Sequence, residues 1–375
     1  MDNIKLTPIA GGRNDISGVC SILEIGPFTL LLDCGCALKN SNVILNKLKT
    51  KLNHINKTID AVILSHADLQ HLGALPVVFG RNGLSVESVV CTLPVHKFGQ
   101  LVLYDYCSNK DMEGTNDNNS NNIDNNTFPT FDYDDIDNSF FNPTVVKFSQ
   151  SIQLHNTKGN NSTSKKGDRE MLTLCAYPSG RTIGGSIWRI KHGSTEIVYA
   201  IDYNMKNEVV LTGASLDPLP SIPSLLIMDA GSSVQYTNLK ASLSSSTTAT
   251  SNTTSTGGRK KREPKEDPQL LINTILDTLR GDGNVLIPCE TAGRTLELLQ
   301  ILGTYWMSNK IGMYHLIFLS PMSYNILEFA RSQLEWMSNT LSKQFYNGGA
   351  NPYDLGAYLK ICTSIRELEK LYIGM

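Results

Sequence analysis

Short apolar runs ending on a polar residue recur along the chain. Phe28-Thr29-Leu30-Leu31-Leu32 stops at Asp33-Cys34-Gly35, and Ile59-Asp60-Ala61-Val62-Ile63-Leu64 stops at Ser65-His66. Glu196-Ile197-Val198-Tyr199-Ala200-Ile201 runs to Asp202, Ser224-Leu225-Leu226-Ile227-Met228 to Asp229, and Asn284-Val285-Leu286-Ile287 to Pro288. Runs this short, β-rich and bounded by turn residues, predict buried strands. Each delivers a polar group just past its C-terminal end, where layered α/β proteins hold their sites. Helical spacing appears between and after them. Asp267-Pro268 reads as an N-cap followed by proline at the first helical position, ahead of Leu270, Leu271, Ile275 and Leu279. Arg280-Gly281 supplies a basic last turn and a stop. Leu296, Leu299 and Leu302 predict a second helix over Thr291–Tyr305, and Tyr324–Leu341, with Glu328, Arg331 and Glu335, a third. Strands interleaved with helices indicate an α/β architecture.

Two compositional breaks interrupt this pattern. Asn116–Asn126 is mostly asparagine, and Asp111–Asp137 carries eight acidic residues and no basic one. Such a segment buries too little apolar surface to offset its ordering entropy, so a disordered insert over about 108–138 is expected. Ser242–Thr256 is almost all serine and threonine and leads into Arg259-Lys260-Lys261-Arg262-Glu263-Pro264-Lys265. A disordered connector over about 238–266 is expected there. Its basic cluster, Arg259 to Arg262, is a candidate RNA or nuclear-import contact, with a solvated charged loop as the plain alternative.

The 375 residues suffice for two domains, and a hydrophobic share of 41% supports a sizeable core. With 33 basic and 35 acidic residues the net charge is −2, which excludes nucleic-acid binding through bulk positive charge. No run of about 18 apolar residues suggests a membrane span. The N-terminal residues lack the charged start, apolar block and cleavage site of a secretory signal. Eight cysteines include Cys34-Gly35-Cys36 but no C-x-x-C. Reduced core thiols of a cytosolic or nuclear protein are expected, and a structural four-cysteine zinc site is not.

The most informative segment is Leu64-Ser65-His66-Ala67-Asp68-Leu69-Gln70-His71-Leu72-Gly73-Ala74-Leu75-Pro76. His66, Asp68 and His71 gather three ligand-type side chains in one turn. The segment resembles the signature turn of metallo-β-lactamase-fold nucleases of the β-CASP group, which act on RNA and DNA. Their pattern is H-x-H-x-D-H followed by G-A-L-P; this chain reads H-x-D-x-Q-H-L-G-A-L-P. Asp33 matches the group's first aspartate, Gly180-Arg181-Thr182-Ile183-Gly184-Gly185 its G-H-x-x-G segment, and Asp202 its metal-bridging aspartate. Asp229 stands where the inserted β-CASP domain begins with an acidic residue. Ile4–Thr7, Leu31–Gly35, Gly99-Gln100, Gly184–Trp188, Leu279–Ile287 and Ser332–Ser338 resemble one branch of the group, subunits of the machinery that cleaves and polyadenylates messenger-RNA precursors.

The resemblance implies a metallo-β-lactamase αββα sandwich over 1–220 and a partial β-CASP α/β domain over 221–375. The group's chains are longer, so a fragment or truncated product is expected. A nuclear, non-catalytic subunit is implied, paired with the active endonuclease paralogue and other cleavage and polyadenylation subunits. It would meet pre-mRNA through the complex and have no membrane partner.

The departures from the pattern bear on mechanism. An active site of this fold holds two metals between the H-x-H pair, the D-H pair, a later histidine and the bridging aspartate. Here the second histidine is Asp68, the aspartate of D-H is Gln70, and the later histidine is Arg181. Only His66, His71 and Asp202 keep the family-typical form. Glutamine is a neutral, weak ligand. A guanidinium stays protonated and cannot ligate. Like charges about 4 Å apart repel by roughly 4 kcal/mol at an effective dielectric of 20, and a divalent ion feels about twice that. Arg181 is therefore expected to take the metal's electrostatic place, pairing with Asp202, Asp68 or both. No cofactor and no catalytic residue are expected, and Asp33, His66, Asp68, Gln70, His71, Arg181 and Asp202 form a vestigial site. Two alternatives stay open: a single-metal site of His66, Asp68 and Asp202, and an active metal-dependent RNA nuclease or hydrolase with altered ligands. His96 reads as a surface or satisfied residue, and His155, His192 and His315 have no ligand-type neighbours. Trp188, Trp306 and Trp336 read as core or interface.

Overall fold

A computed structural model describes residues 3–11, 18–36, 41–55, 58–80, 83–114, 131–140, 143–155, 171–229 and 268–373. It divides into two compact units, one of Met1–Met228 with Cys289–Met375 and one of Asp229–Pro288.

The first sheet has the order β1 (Ile4–Ala10), β2 (Cys20–Ile25), β3 (Phe28–Leu32), β4 (Ile59–Ile63), β5 (Val86–Thr92) and β6 (Thr144–Val146). β1 to β3 pair antiparallel, and β3 to β6 run parallel. The parallel strands need crossovers. These are α1 (Ser41–Ile55), then α2 (Leu69–Leu72) and α3 (Leu75–Phe79), then α4 (Leu93–Gly114) and α5 (Tyr133–Ser139). The second sheet has the order β11-β10-β9-β8-β7, from β7 (Ser151–His155), β8 (Met171–Pro178), β9 (Ser186–His192), β10 (Thr195–Ala200) and β11 (Leu225–Met228).

Strand alternation explains the layers. Leu23, Ile25, Leu30, Leu32, Ala61 and Ile63 turn inward to meet Leu172, Leu174, Trp188, Ile190, Ile197 and Tyr199 of the second sheet. Ile22, Leu31, Val62 and Val89 turn outward and pack with Ile44 and Leu48 of α1, Val78 of α3 and Leu103 of α4. β3 is buried on both faces, which is why its sequence is continuously apolar. Trp188 joins the sheets further, donating from Nε1 to the Leu64 carbonyl at 3.1 Å.

In the unit 229–288, α6 (Pro268–Arg280) is the described helix. In the larger unit follow α7 (Arg294–Ser308), β12 (Leu316–Leu319), α8 (Ser323–Ser332), α9 (Asn339–Tyr346), β13 (Leu359–Cys362) and α10 (Ile365–Ile373). β12 and β13 pair in parallel. Leu296, Phe318, Ile326, Leu327, Trp336 and Tyr353 form their core, which Phe98 and Val102 of α4 enter. Asp105 of α4 fixes the junction by accepting hydrogen bonds from Thr291 Oγ1 at 2.8 Å and Ser320 Oγ at 2.6 Å.

Four expectations change. The insert expected over about 108–138 is ordered at both ends. α4 runs to Gly114, and α5 is closed by a capping box in which Asp132 and Asp135 accept each other's backbone N–H. Phe131, Ile136 and Phe140 bury themselves in the outer core, so a few apolar anchors overcome the acidic composition. The run Asn284–Ile287 forms no strand; among the described residues it has no ladder partner, and Leu286 is 88% exposed. Tyr324–Leu341 breaks into α8 and α9, because Ser338 donates its N–H to the Val210 carbonyl and its hydroxyl to the Val209 carbonyl while Leu334 and Trp336 turn inward. β11 lies past the expected boundary at 220 but pairs in parallel with β10, so it is the edge of the second sheet. The segment 115–130 and the connector with Arg259, Lys260, Lys261 and Arg262 lie outside the described residues.

Ile136→Ala is predicted to lower the unfolding free energy by about 2–4 kcal/mol, and Asp132→Ala by about 1 kcal/mol through loss of the cap. Urea denaturation measures both. An Ile136→Ala change within about 0.5 kcal/mol of zero contradicts the packing of α5.

Candidate functional site

The site is built where strands of the two sheets end. Asp33 follows β3 and Asp202 follows β10, both with φ of 53°. A left-handed aspartate is uncommon and is tolerated because its short polar side chain bonds locally. The chain after β3, with Val19 just before β2, holds the 66–71 turn by backbone hydrogen bonds. Cys34 N–H donates to the His71 carbonyl at 2.8 Å, Cys36 N–H to that of Leu69 at 2.9 Å, and Val19 N–H to that of Gln70 at 2.7 Å. Gly35 is required at this approach: a Cβ there would sit 1.4 Å from the Gln70 oxygen.

A hydrogen-bonded chain crosses between the sheets. Asp33, fully buried, accepts from Ser65 N–H at 2.7 Å, Ser65 Oγ at 2.6 Å and Tyr199 Oη at 2.6 Å. Burial raises its carboxyl, while His71 and these donors pull the other way. With its hydrogen given to Asp33, Ser65 Oγ accepts from His66 Nδ1 at 2.9 Å. His66 Nε2 is then left to accept from Ser179 Oγ at 2.9 Å. Burial, then the His71 charge, lowers His66 to a pKa of about 3, which keeps it neutral. Both of its ring nitrogens are engaged.

Four charged groups stand beside this chain. Asp68 caps α2 and meets His71 Nδ1 at 2.7 Å. Burial opposes charge on both. The mutual attraction outweighs it, holding Asp68 down at about 2 and lifting His71 to about 10. Asp202 Oδ2 lies 3.4 Å from Nε of Arg181, whose side chain is 44% exposed against 18% for Asp202. Ligand atoms of Asp68, His71 and Asp202 lie within 4.8 Å of one another. At neutral pH this quartet holds two positive and two negative charges, a balanced set. Glu290 stands nearby: burial, then Asp68, raises its carboxyl, and Asp202 adds to this while Arg181 opposes it.

The predicted residues are thus sorted. Arg181 pairs with Asp202, as expected; the partner of Asp68 is His71. His66 does not join the candidate metal cluster, because Ser65 and Ser179 occupy it, and His71 stands in its place. Gln70 is exposed. His96, expected on the surface or satisfied, is buried against Phe140 with Nε2 unpartnered, and burial lowers its pKa to about 4. Trp188, Trp306 and Trp336 are core residues. Sequence reasoning missed Ser65, Ser179, Tyr199 and Glu290. Glu290 carried a readable signal, being the acidic residue just past a β-rich run.

The residues do not fit a pair of metal ions. Of the positions that would ligate, one is a guanidinium, one is exposed and one has both nitrogens hydrogen-bonded. For a single ion, Asp68, His71 and Asp202 offer donors, and His71 Nε2 is buried without a partner. Such an ion would have to displace a proton held to about pH 10 and lie beside Arg181.

Residues 22–227 match the metallo-beta-lactamase superfamily domain. The chain belongs to that superfamily. It is 36% identical over 375 residues to the probable cleavage and polyadenylation specificity factor subunit 2 of Drosophila melanogaster, covering 99% of this chain and 42% of that protein. It is 32% identical over 369 residues to the cleavage and polyadenylation specificity factor subunit 2 of Oryza sativa subsp. japonica, covering 98% and 42%. To the probable subunit 2 of Caenorhabditis elegans it is 31% identical over 376 residues, covering 99% and 38%. The chain spans less than half the length of these relatives. The quartet lies beside Asp33 and Asp202, where a strand of each sheet ends.

The Asp68–His71 pair sets a pH dependence. His71 is raised from 6.5 in the folded state, so its stabilisation is complete below about pH 6.5 and is lost as pH rises toward 10. Asp68 is depressed from 3.8, so its stabilisation is present above about pH 4 and is lost as pH falls toward 2. The stability advantage of the wild type over Asp68→Asn is predicted to peak between about pH 4 and 6.5 and to shrink from pH 6.5 to 10. Urea midpoints across pH measure it; a difference that grows from pH 6.5 to 9 contradicts the pair.

Proposed function

We propose that this chain is part of a non-catalytic subunit of the nuclear machinery that cleaves and polyadenylates messenger-RNA precursors. It would serve there as a metallo-β-lactamase-fold body beside an active endonuclease paralogue and other subunits. The region after β11 would be the beginning of a β-CASP-like domain. The similarity to cleavage and polyadenylation specificity factor subunit 2 proteins supports the setting. One observation carries the non-catalytic reading: the guanidinium of Arg181 on Asp202, with His71 held protonated by Asp68. Hydrolysis in this fold needs a water activated by metal and a clamp on the phosphodiester. A pocket already neutralised by its own cations provides neither. Contact with pre-mRNA would come through the assembled complex and, in this chain, through Arg259, Lys260, Lys261 and Arg262.

A second reading keeps a metal-dependent RNA nuclease or hydrolase, with one ion on Asp68, His71 and Asp202. The buried, unpartnered Nε2 of His71 favours it. Arg181 and the His71 proton oppose it by placing positive charge where the ion would sit.

An RNA cleavage assay with added zinc or manganese separates the two. The expected outcome is no cleavage by this protein alone, and cleavage with the paralogue that Arg181→Ala leaves unchanged. Metal-dependent cleavage by this protein alone, lost in Asp202→Asn, overturns the non-catalytic reading.

A further inference from the structure

Three thiols, Cys20, Cys34 and Cys36, are buried together under the pocket in the outer core. Two of them are cross-strand neighbours, and the backbone shows why. β2 and β3 pair antiparallel with Ser21 opposite Leu32, so an unbroken ladder would set Cys20 opposite Asp33. The ladder ends at the Ser21–Leu32 pair, and Asp33 follows with a φ of 53°. Beyond it, Gly35 N–H donates to the Val19 carbonyl at 2.8 Å, so Cys20 stands opposite Cys34. This is the two-against-one count of a bulge. It also breaks the in-out alternation. Leu32 and Asp33 both face the second sheet, and Cys34 turns to the side that Cys20 and Ile22 already occupy. Burial raises the Cys34 thiol, and the neighbouring Cys20 adds to this. Directly opposed residues of an antiparallel pair have Cα atoms about 4.5–5.5 Å apart, inside the range of about 4.4–6.8 Å that a disulfide spans.

We propose that Cys20 and Cys34 are a redox modification site that closes to a reversible cross-strand disulfide under a low-molecular-weight disulfide oxidant such as oxidised glutathione. The thiolate of one cysteine attacks the oxidant and displaces one glutathione, leaving a mixed disulfide. The second cysteine then attacks the protein sulfur and displaces the other. Two electrons and two protons pass to two glutathione thiols, and one sulfur–sulfur bond forms in the protein. Both thiols are fully buried, so reaction awaits local opening at β2 and runs slower than modification of the exposed Cys289. The bridge would staple the two segments whose backbone holds Gln70 and His71, through Val19 N–H and Cys34 N–H.

The test incubates the folded protein with excess oxidised glutathione, blocks free thiols and maps peptides without reduction. No lysine or arginine lies between Arg13 and Lys39, so trypsin leaves all three cysteines on one peptide. A second cleavage after Glu24 separates Cys20 from Cys34 and Cys36. The expected result is a linked pair carrying Cys20 and Cys34, with Cys36 blocked as a free thiol and full reversal by dithiothreitol. The same link should persist in Cys36→Ser, and the oxidised protein should unfold at higher urea than the reduced one. Cys289 is the internal control. A protein glutathionylated at Cys289 with Cys20 and Cys34 still free overturns the proposal, as does a bridge that uses Cys36 or forms only in urea.

Discussion

Charge balance in one pocket governs the rest of this structure. Asp68 holds His71 at 2.7 Å, and Asp202 holds Arg181 at 3.4 Å. Ionised carboxylates at the ends of packed strands are costly without partners. Here the side-chain cations of His71 and Arg181 stand against them. The two pairs differ in strength. His71 and Asp68 are largely withdrawn from water, so each shifts the other's ionisation strongly. Arg181 is nearly half exposed, so solvent weakens its attraction to Asp202, and its effect is local occupancy more than stability.

The scaffold beneath the pocket makes this arrangement a property of the fold. Asp33 and Asp202 leave the ends of β3 and β10 with the same left-handed turn. Asp33 does not face a vacancy: Ser65 and Tyr199 saturate it, and Tyr199 lies on β10 in the opposite sheet. From Ser65 the hydrogen bonds continue through His66 to Ser179, just past β8. The two sheets are therefore joined there by hydrogen bonds as well as by the apolar core. His66, a ligand-type residue by sequence, has become part of that joint.

The strands around the pocket were legible in the sequence because each apolar run stops at a turn residue, and β3, β4, β10 and β11 follow that rule. Arg181 was legible as the decisive residue, since no context makes a guanidinium a ligand. The failures have physical causes. Which carboxylate takes which cation depends on distance: Asp68 is captured by His71 three residues on, through the first turn of α2. The alternative single-metal set included His66, whose partners, Ser65 and Ser179, carry no charge to mark them. The acidic stretch was read from average composition, whereas Phe131, Ile136 and Phe140 decide its fate. Asn284–Ile287 has the composition of a strand, but pairing is a tertiary property, and among the described residues the run joins no ladder.

Each of the two carboxylates, Asp68 and Asp202, has a side-chain cation of its own, within a metallo-beta-lactamase superfamily domain. Metal analysis of the purified protein, after equilibration with zinc and removal of excess, tests this most directly. Self-neutralisation by Arg181 and His71 predicts no stoichiometric zinc, in the wild type and at every pH at which His71 keeps its proton. One or two tightly held zinc ions per chain would contradict it.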